Sequence, residues 1–114
     1  MDKLEIIVKA LDEKLGSDIA VIDMRDISAI YDTFVLCSAN NEPMMNALVD
    51  NVEQKAAEQG YFVKSKEGKK NSKWILMDFG DIVVHIFDKD ERELYNIEKL
   101  WADMPRLSVE EMLD

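Results

Sequence analysis

Apolar residues recur along this chain with two periods, and the points where one period gives way to the other mark its elements. Over residues 2–15, Leu4, Ile7, Val8, Leu11 and Leu15 fall on one stripe, which predicts an amphipathic helix stopped by Gly16. Residues 18–24 alternate instead, predicting a strand with Ile19, Val21 and Asp23 on one face. Residues 32–39 are more continuously apolar, as a central strand would be. Asn40-Asn41-Glu42-Pro43 offers an asparagine cap and a first-turn proline. The helix it opens should reach Gln59, with Met45, Leu48, Val52 and Ala56 along one side, and stop at Gly60. Residues 61–65 predict a third strand and residues 67–72 a polar loop. Asp88-Lys89-Asp90-Glu91 resembles a capping box, opening a helix that carries Leu94, Ile97 and Trp101 and ends at Pro105. Ser108 with Glu111 can cap one last short turn.

The most informative stretch is residues 74–88, WILMDFGDIVVHIFD. Gly80-Asp81 is a glycine-first two-residue loop, the pattern of a type II′ hairpin. That turn sets Phe79 opposite Ile82, Met77 opposite Val84 and Ile75 opposite Ile86, all apolar and all on one face. The other face pairs Asp78 with Val83, Leu76 with His85 and Trp74 with Phe87. A slip of one residue would exchange the faces, so the apolar set pins the register. The mixed face is too apolar for free solvation and too polar for a core, and such a patch usually meets something.

These elements predict a single α+β domain: a five-stranded mixed sheet in the order αββαβββα, with helices mainly on one face and the other face open. A length of 114 residues fits one domain, and 47% hydrophobic residues can build one core. No apolar run is long enough for a transmembrane helix. The start, Met1-Asp2-Lys3-Leu4-Glu5, has no basic leader, which predicts a cytoplasmic protein. The lone Cys37 has no disulfide partner in the chain and reads as a small buried hydrophobe. A net charge of −10 argues against wrapping a nucleic-acid backbone and favours a basic partner or simple solubility. One local exception is Lys64, Lys66, Lys69, Lys70 and Lys73, either a solvated loop or an edge making a minor RNA contact.

No catalytic set emerges. Asp78-Phe79-Gly80 matches the kinase metal-binding tripeptide in letters only, without a glycine-rich loop or a His-Arg-Asp loop. Asp78, Asp81 and His85 could approach one another near the hairpin, but no second histidine supports a metal site. Gly16-Ser17 followed by Asp23 and Asp26 resembles a nucleotidyltransferase pattern, yet a spacing of three cannot put both carboxylates on one strand face. Ser28 or Ser38 with His85 has no supporting motif. Among the large aromatics, Trp101 reads as core or its rim, and Trp74, beside Leu76 and Phe87, as a partner contact.

The chain resembles the ribosomal silencing factor family, also called the Iojap family. The resemblance is carried by Trp74 with Asp78-Phe79-Gly80-Asp81-Ile82-Val83-Val84-His85, then Arg92-Glu93-Leu94-Tyr95 and Glu98-Lys99-Leu100-Trp101. Upstream, Asp32-Thr33-Phe34-Val35, Asn40-Asn41 and Glu67-Gly68 also match. It covers residues 1–102 as a silencing-factor domain and leaves 103–114 as a C-terminal tail with room for a short helix. It implies a nucleotidyltransferase-like fold without catalytic residues, no cofactor, and binding to the large ribosomal subunit through ribosomal protein fourteen. Bound there, family members block subunit joining and repress translation, with a role also proposed in large-subunit biogenesis; some form homodimers. Trp74, Leu76, Asp78 and His85, with Glu67 and Tyr95 nearby, are the expected partner contacts. Asp78 and Glu67 would pair with basic side chains, while Trp74 and Leu76 supply apolar burial. The alternatives are a nucleotidyltransferase-like enzyme using Asp23 and Asp26, and a homodimeric adaptor whose mixed face is a dimer interface.

Overall fold

The structure, a computed structural model, describes residues 2–68 and 72–113. Its elements run α1 (Lys3–Glu13), β1 (Ser17–Asp23), β2 (Thr33–Ala39), α2 (Glu42–Glu58), β3 (Ser65–Glu67), β4 (Trp74–Asp78), β5 (Ile82–Asp88), α3 (Lys89–Tyr95), α4 (Ile97–Leu100), β6 (Arg106–Leu107) and α5 (Val109–Leu113). One mixed sheet has the order β3-β4-β5-β2-β1-β6. Among the described residues only β2 and β5 pair in parallel; every other neighbouring pair is antiparallel.

The first face of the sheet carries the main core. Ile7, Val8 and Leu11 of α1 and Met45, Leu48, Val52 and Ala56 of α2 bury against Val21, Val35, Cys37, Met77, Val84 and Ile86. Both helix starts are capped as their sequences require: Asp2 accepts from the Glu5 backbone N–H at 2.8 Å and Asn41 from that of Met44 at 2.9 Å. Between the two helices, the buried Asn51 side chain donates to the Ala10 carbonyl at 2.7 Å.

The hairpin has the expected register, Trp74 opposite Phe87, Leu76 opposite His85 and Asp78 opposite Val83. The Phe79 N–H donates to Ile82 at 2.9 Å, and Gly80 has φ +101°, the sign that a type II′ turn demands at its first position.

Several sequence expectations need correction. Among the described residues the sheet has six strands, not five: β6 pairs with Val21 and Ile22 of β1, so residues near the C-terminus join the body, and α5 packs on α1. A two-residue strand has no periodicity to read. The third strand lies at Ser65–Glu67 rather than 61–65. Tyr61 and Val63 do alternate onto the core, but main-chain pairing begins only where the Lys64 N–H reaches Asp78 at 2.7 Å. Period two reports burial, not hydrogen bonding.

The helix after Asp88 is broken at Asn96, which takes left-handed φ and ψ. Its inward residue is Arg92, 7% exposed, so Leu94, two positions on, is turned outward and 75% exposed. Leu15 likewise leaves the α1 stripe: it is 80% exposed and itself makes the left-handed turn at φ +62°. Finally, the second face is partly roofed, because Trp101 and Met104 pack on Ala20, Ile22, Leu36 and Phe87.

Candidate docking site

The part of the second face left uncovered lies over β3, β4 and β5, and all six residues predicted to contact a partner border it. Two shallow depressions share Glu67 and Leu76. One adds Asp78 and His85, the other Trp74 and Tyr95. The His85 depression holds about 190 Å³, room for a side chain or two rather than a nucleotide.

Trp74 is the organising residue. Its backbone is tied to Ser72, whose hydroxyl donates to the Trp74 carbonyl at 2.9 Å. Gly68 makes a close approach at φ +114°; a Cβ there would lie 2.8 Å from the same carbonyl oxygen. The indole stacks on Phe87 at 4.9 Å between centroids, and Tyr95 covers it at 5.6 Å. Its Nε1–H donates to His85 Nδ1 at 3.2 Å. Half-buried, Trp74 still presents part of its ring to the depression.

His85 is more buried than its expected role as a surface contact suggests, at 5% exposed. Burial pushes its pKa down to about 4, so it is neutral near pH 7. Asp78 is shared between turn and surface. One carboxylate oxygen accepts from the Gly80 N–H at 2.7 Å, and the other faces the Tyr31 hydroxyl at 3.4 Å. The Asp78 charge raises the Tyr31 pKa. Glu67 is exposed at the end of β3, and Tyr95 is 56% exposed.

Asp81 stands apart from this surface. Lys3 Nζ meets its carboxylate at 2.6 Å, which holds its pKa down, and its carbonyl accepts from Asp32 and Thr33. Asp78, Asp81 and His85 therefore each serve a different local bond, and among the described residues no group of three His, Cys, Asp or Glu gathers to hold a metal. Asp23 is engaged by Arg25 through bonds of 3.0 and 2.6 Å, which lower its pKa to about 2, while Asp26 is exposed in the following turn. Of the lysine cluster, Lys66 pairs with Glu53 at 2.8 Å and Lys64 and Lys73 are exposed; Lys69 and Lys70 lie outside the described residues.

Sequence reasoning missed Tyr31, Phe34 and Arg92. Phe34 centres the aromatic layer, 4.8 Å from His85, 5.1 Å from Trp101 and 5.9 Å from Tyr31. Strand alternation puts Phe34 opposite Val35, but its neighbours follow only once β2 is known to lie beside β5. Arg92 donates to the Asp18 carbonyl at 2.7 Å and the Ser38 hydroxyl at 2.9 Å, and pairs with Glu98 at 2.7 Å. That clamp fixes α3 and α4 on the sheet and so sets Tyr95 over Trp74.

The family model for "ribosomal silencing factor during starvation" matches residues 1–114. The chain belongs to the ribosomal silencing factor family. A ribosomal silencing factor of Bacillus subtilis is 43% identical over 102 residues, covering 90% of this chain and 86% of the relative. A mouse protein named for mitochondrial assembly of the ribosomal large subunit is 30% identical over 103 residues, 87% of this chain and 45% of that protein. A crystal structure from Bacillus halodurans superposes with a TM-score of 0.81 at 39% identity, covering 92% of this chain and 95% of the other. Family membership associates the chain with ribosomes and translation regulation. Among the described residues no helix is long and apolar enough to cross a membrane.

Proposed function

We propose that this chain docks on the large ribosomal subunit, at ribosomal protein fourteen, through the open part of its second sheet face, and represses translation by occupying space that the small subunit needs. The observation that carries this reading is the convergence of Trp74, Leu76, Asp78, His85, Glu67 and Tyr95 on one continuous surface. A fixed, half-buried indole with Glu67 and Glu91 beside Lys73 in its own depression, and Asp78 in the adjoining one, suits a basic protein partner: apolar area supplies affinity, and charge supplies orientation and encounter rate. The net charge of −10 acts in the same direction. The action is steric, with no covalent step and no cofactor, and its place is the cytoplasm. The mouse relative's name supports an added role in large-subunit assembly.

Co-sedimentation with separated subunits tests this. Wild type should pellet with the large subunit alone, and Trp74→Ala and Asp78→Lys should each weaken that by roughly tenfold or more. Wild type remaining in the supernatant at micromolar concentration would refute the proposal.

A second reading, a homodimeric adaptor, is favoured by the exposed Leu94, Tyr95 and Leu100 beside this surface. Light scattering separates the two: monomerisation by Trp74→Ala would assign the indole to a dimer interface.

A further inference from the structure

His85 is the chain's only histidine, and its two ring nitrogens have unequal surroundings. An indole N–H can only donate. With Trp74 Nε1 at 3.2 Å, Nδ1 must therefore be the acceptor, and the neutral ring carries its proton on Nε2. Nε2 is buried and has no hydrogen-bond partner among the described residues. Buried donors are nearly always paired, and one left unmade is costly.

The depression that His85 borders explains what such a donor could serve. Asp78, the nearest acceptor by strand position, is already engaged with Gly80 and Tyr31. The remaining wall is mostly apolar, from Phe34, Leu76 and Val83. The acids at its rim, Asp78 and Glu67, repel an anionic acceptor and attract a cation. Lysine and arginine side chains offer no acceptor of their own. A group that satisfies both the rim and the buried donor is a peptide carbonyl oxygen carried next to a basic side chain.

We infer that His85 is a specificity-determining hydrogen-bond donor, and that its depression receives a backbone carbonyl from a basic segment of the partner protein. The inference rests on the docking reading above. Trp74 then has two roles: it supplies contact area, and it fixes which nitrogen of His85 faces the partner. Because Nε2 is covered in the free chain, docking includes a side-chain adjustment at the depression's wall, where Tyr31 and Phe34 are only half-buried.

Two measurements test this on the full chain. Nitrogen-15 NMR of the lone histidine in the free protein should find the proton on Nε2; a proton on Nδ1 overturns the inference. Binding to purified large subunits is then compared for His85→Gln, which can keep an N–H near the Nε2 position, and His85→Met, of similar length without a donor. The Met variant should bind roughly tenfold more weakly and the Gln variant within about threefold of wild type. Equal binding by Met and wild type, or equal loss in Met and Gln, overturns it. His85→Phe repeats the donor-free arm should the Met variant misfold by circular dichroism. If wild type binds, Asp78→Lys does not and Met binds normally, only the His85 role falls. If wild type itself does not bind, the docking reading falls and takes this inference with it.

Discussion

At the scale of single residues, His85 links the fold to pH. Its folded pKa of about 4 lies below the ordinary histidine value of 6.5. Between those values the unfolded chain binds a proton that the folded chain does not, so this group makes stability fall as pH falls from 6.5 towards 4. The full difference amounts to about 3 kcal/mol. Urea unfolding of wild type and His85→Phe across that range should show wild type losing stability faster, since the carboxylates titrate in both. Parallel losses would mean that His85 is not buried neutral. Gly16 is a second single-residue case. Sequence suggests it as a helix-stopping glycine, but Leu15 makes the left-handed turn, and glycine is required because a Cβ at position 16 would lie 2.4 Å from Cys37 Sγ. Gly16→Ala should destabilise by about 1–3 kcal/mol, and Cys37→Ala in the same chain should recover part of that loss. Chemical denaturation of the two single variants and the double variant measures the coupling.

At the scale of elements, α3 and α4 show how one polar residue places a functional surface. Arg92 is the buried anchor, with its guanidinium shared among Asp18, Ser38 and Glu98. The guanidinium also holds the Glu98 pKa down. Arg92→Met should cost about 1.5–3 kcal/mol, because charged hydrogen bonds are lost and polar partners stay behind. It should also loosen Tyr95 over Trp74, visible as changed tryptophan fluorescence before global unfolding. Asn96 closes α3 in a left-handed conformation, where glycine is free of the Cβ penalty. Asn96→Gly should therefore leave stability unchanged or raise it by up to about 1 kcal/mol in thermal unfolding, whereas a β-branched Asn96→Val should lower it. The apolar pattern of this segment points to Leu94 as the inward residue and is misleading, since a buried arginine is invisible to a hydrophobic count.

At the scale of the whole molecule, the sheet divides its labour between two faces. α1, α2 and α5 cover the first, and α3 with the turn after α4 covers only part of the second. What remains open is an apolar and acidic strip on a chain of net charge −10. Association with a basic partner should weaken as salt rises, chiefly through a slower association rate. Stopped-flow or surface-based kinetics at several ionic strengths would show it; a salt-independent rate would argue that charge plays no part in docking.

Sequence alone determined the features governed by local spacing. The hairpin register followed from a glycine-first turn and six apolar residues that could share only one face, and the start of α2 followed from the asparagine cap and first-turn proline of Asn40-Asn41-Glu42-Pro43. The set of residues on the mixed face was legible for the same reason, because strand alternation assigns sides without knowing neighbours. Tertiary structure decided what those residues touch. The β2–β5 pairing brought Phe34 and Leu36 beside Val83 and His85, and the Arg92 clamp set Tyr95 over Trp74. Burial of His85 and its bond to Trp74 arise from contacts between residues distant along the chain, or diagonal across strands. No periodicity encodes such contacts; they exist only once the layers have packed.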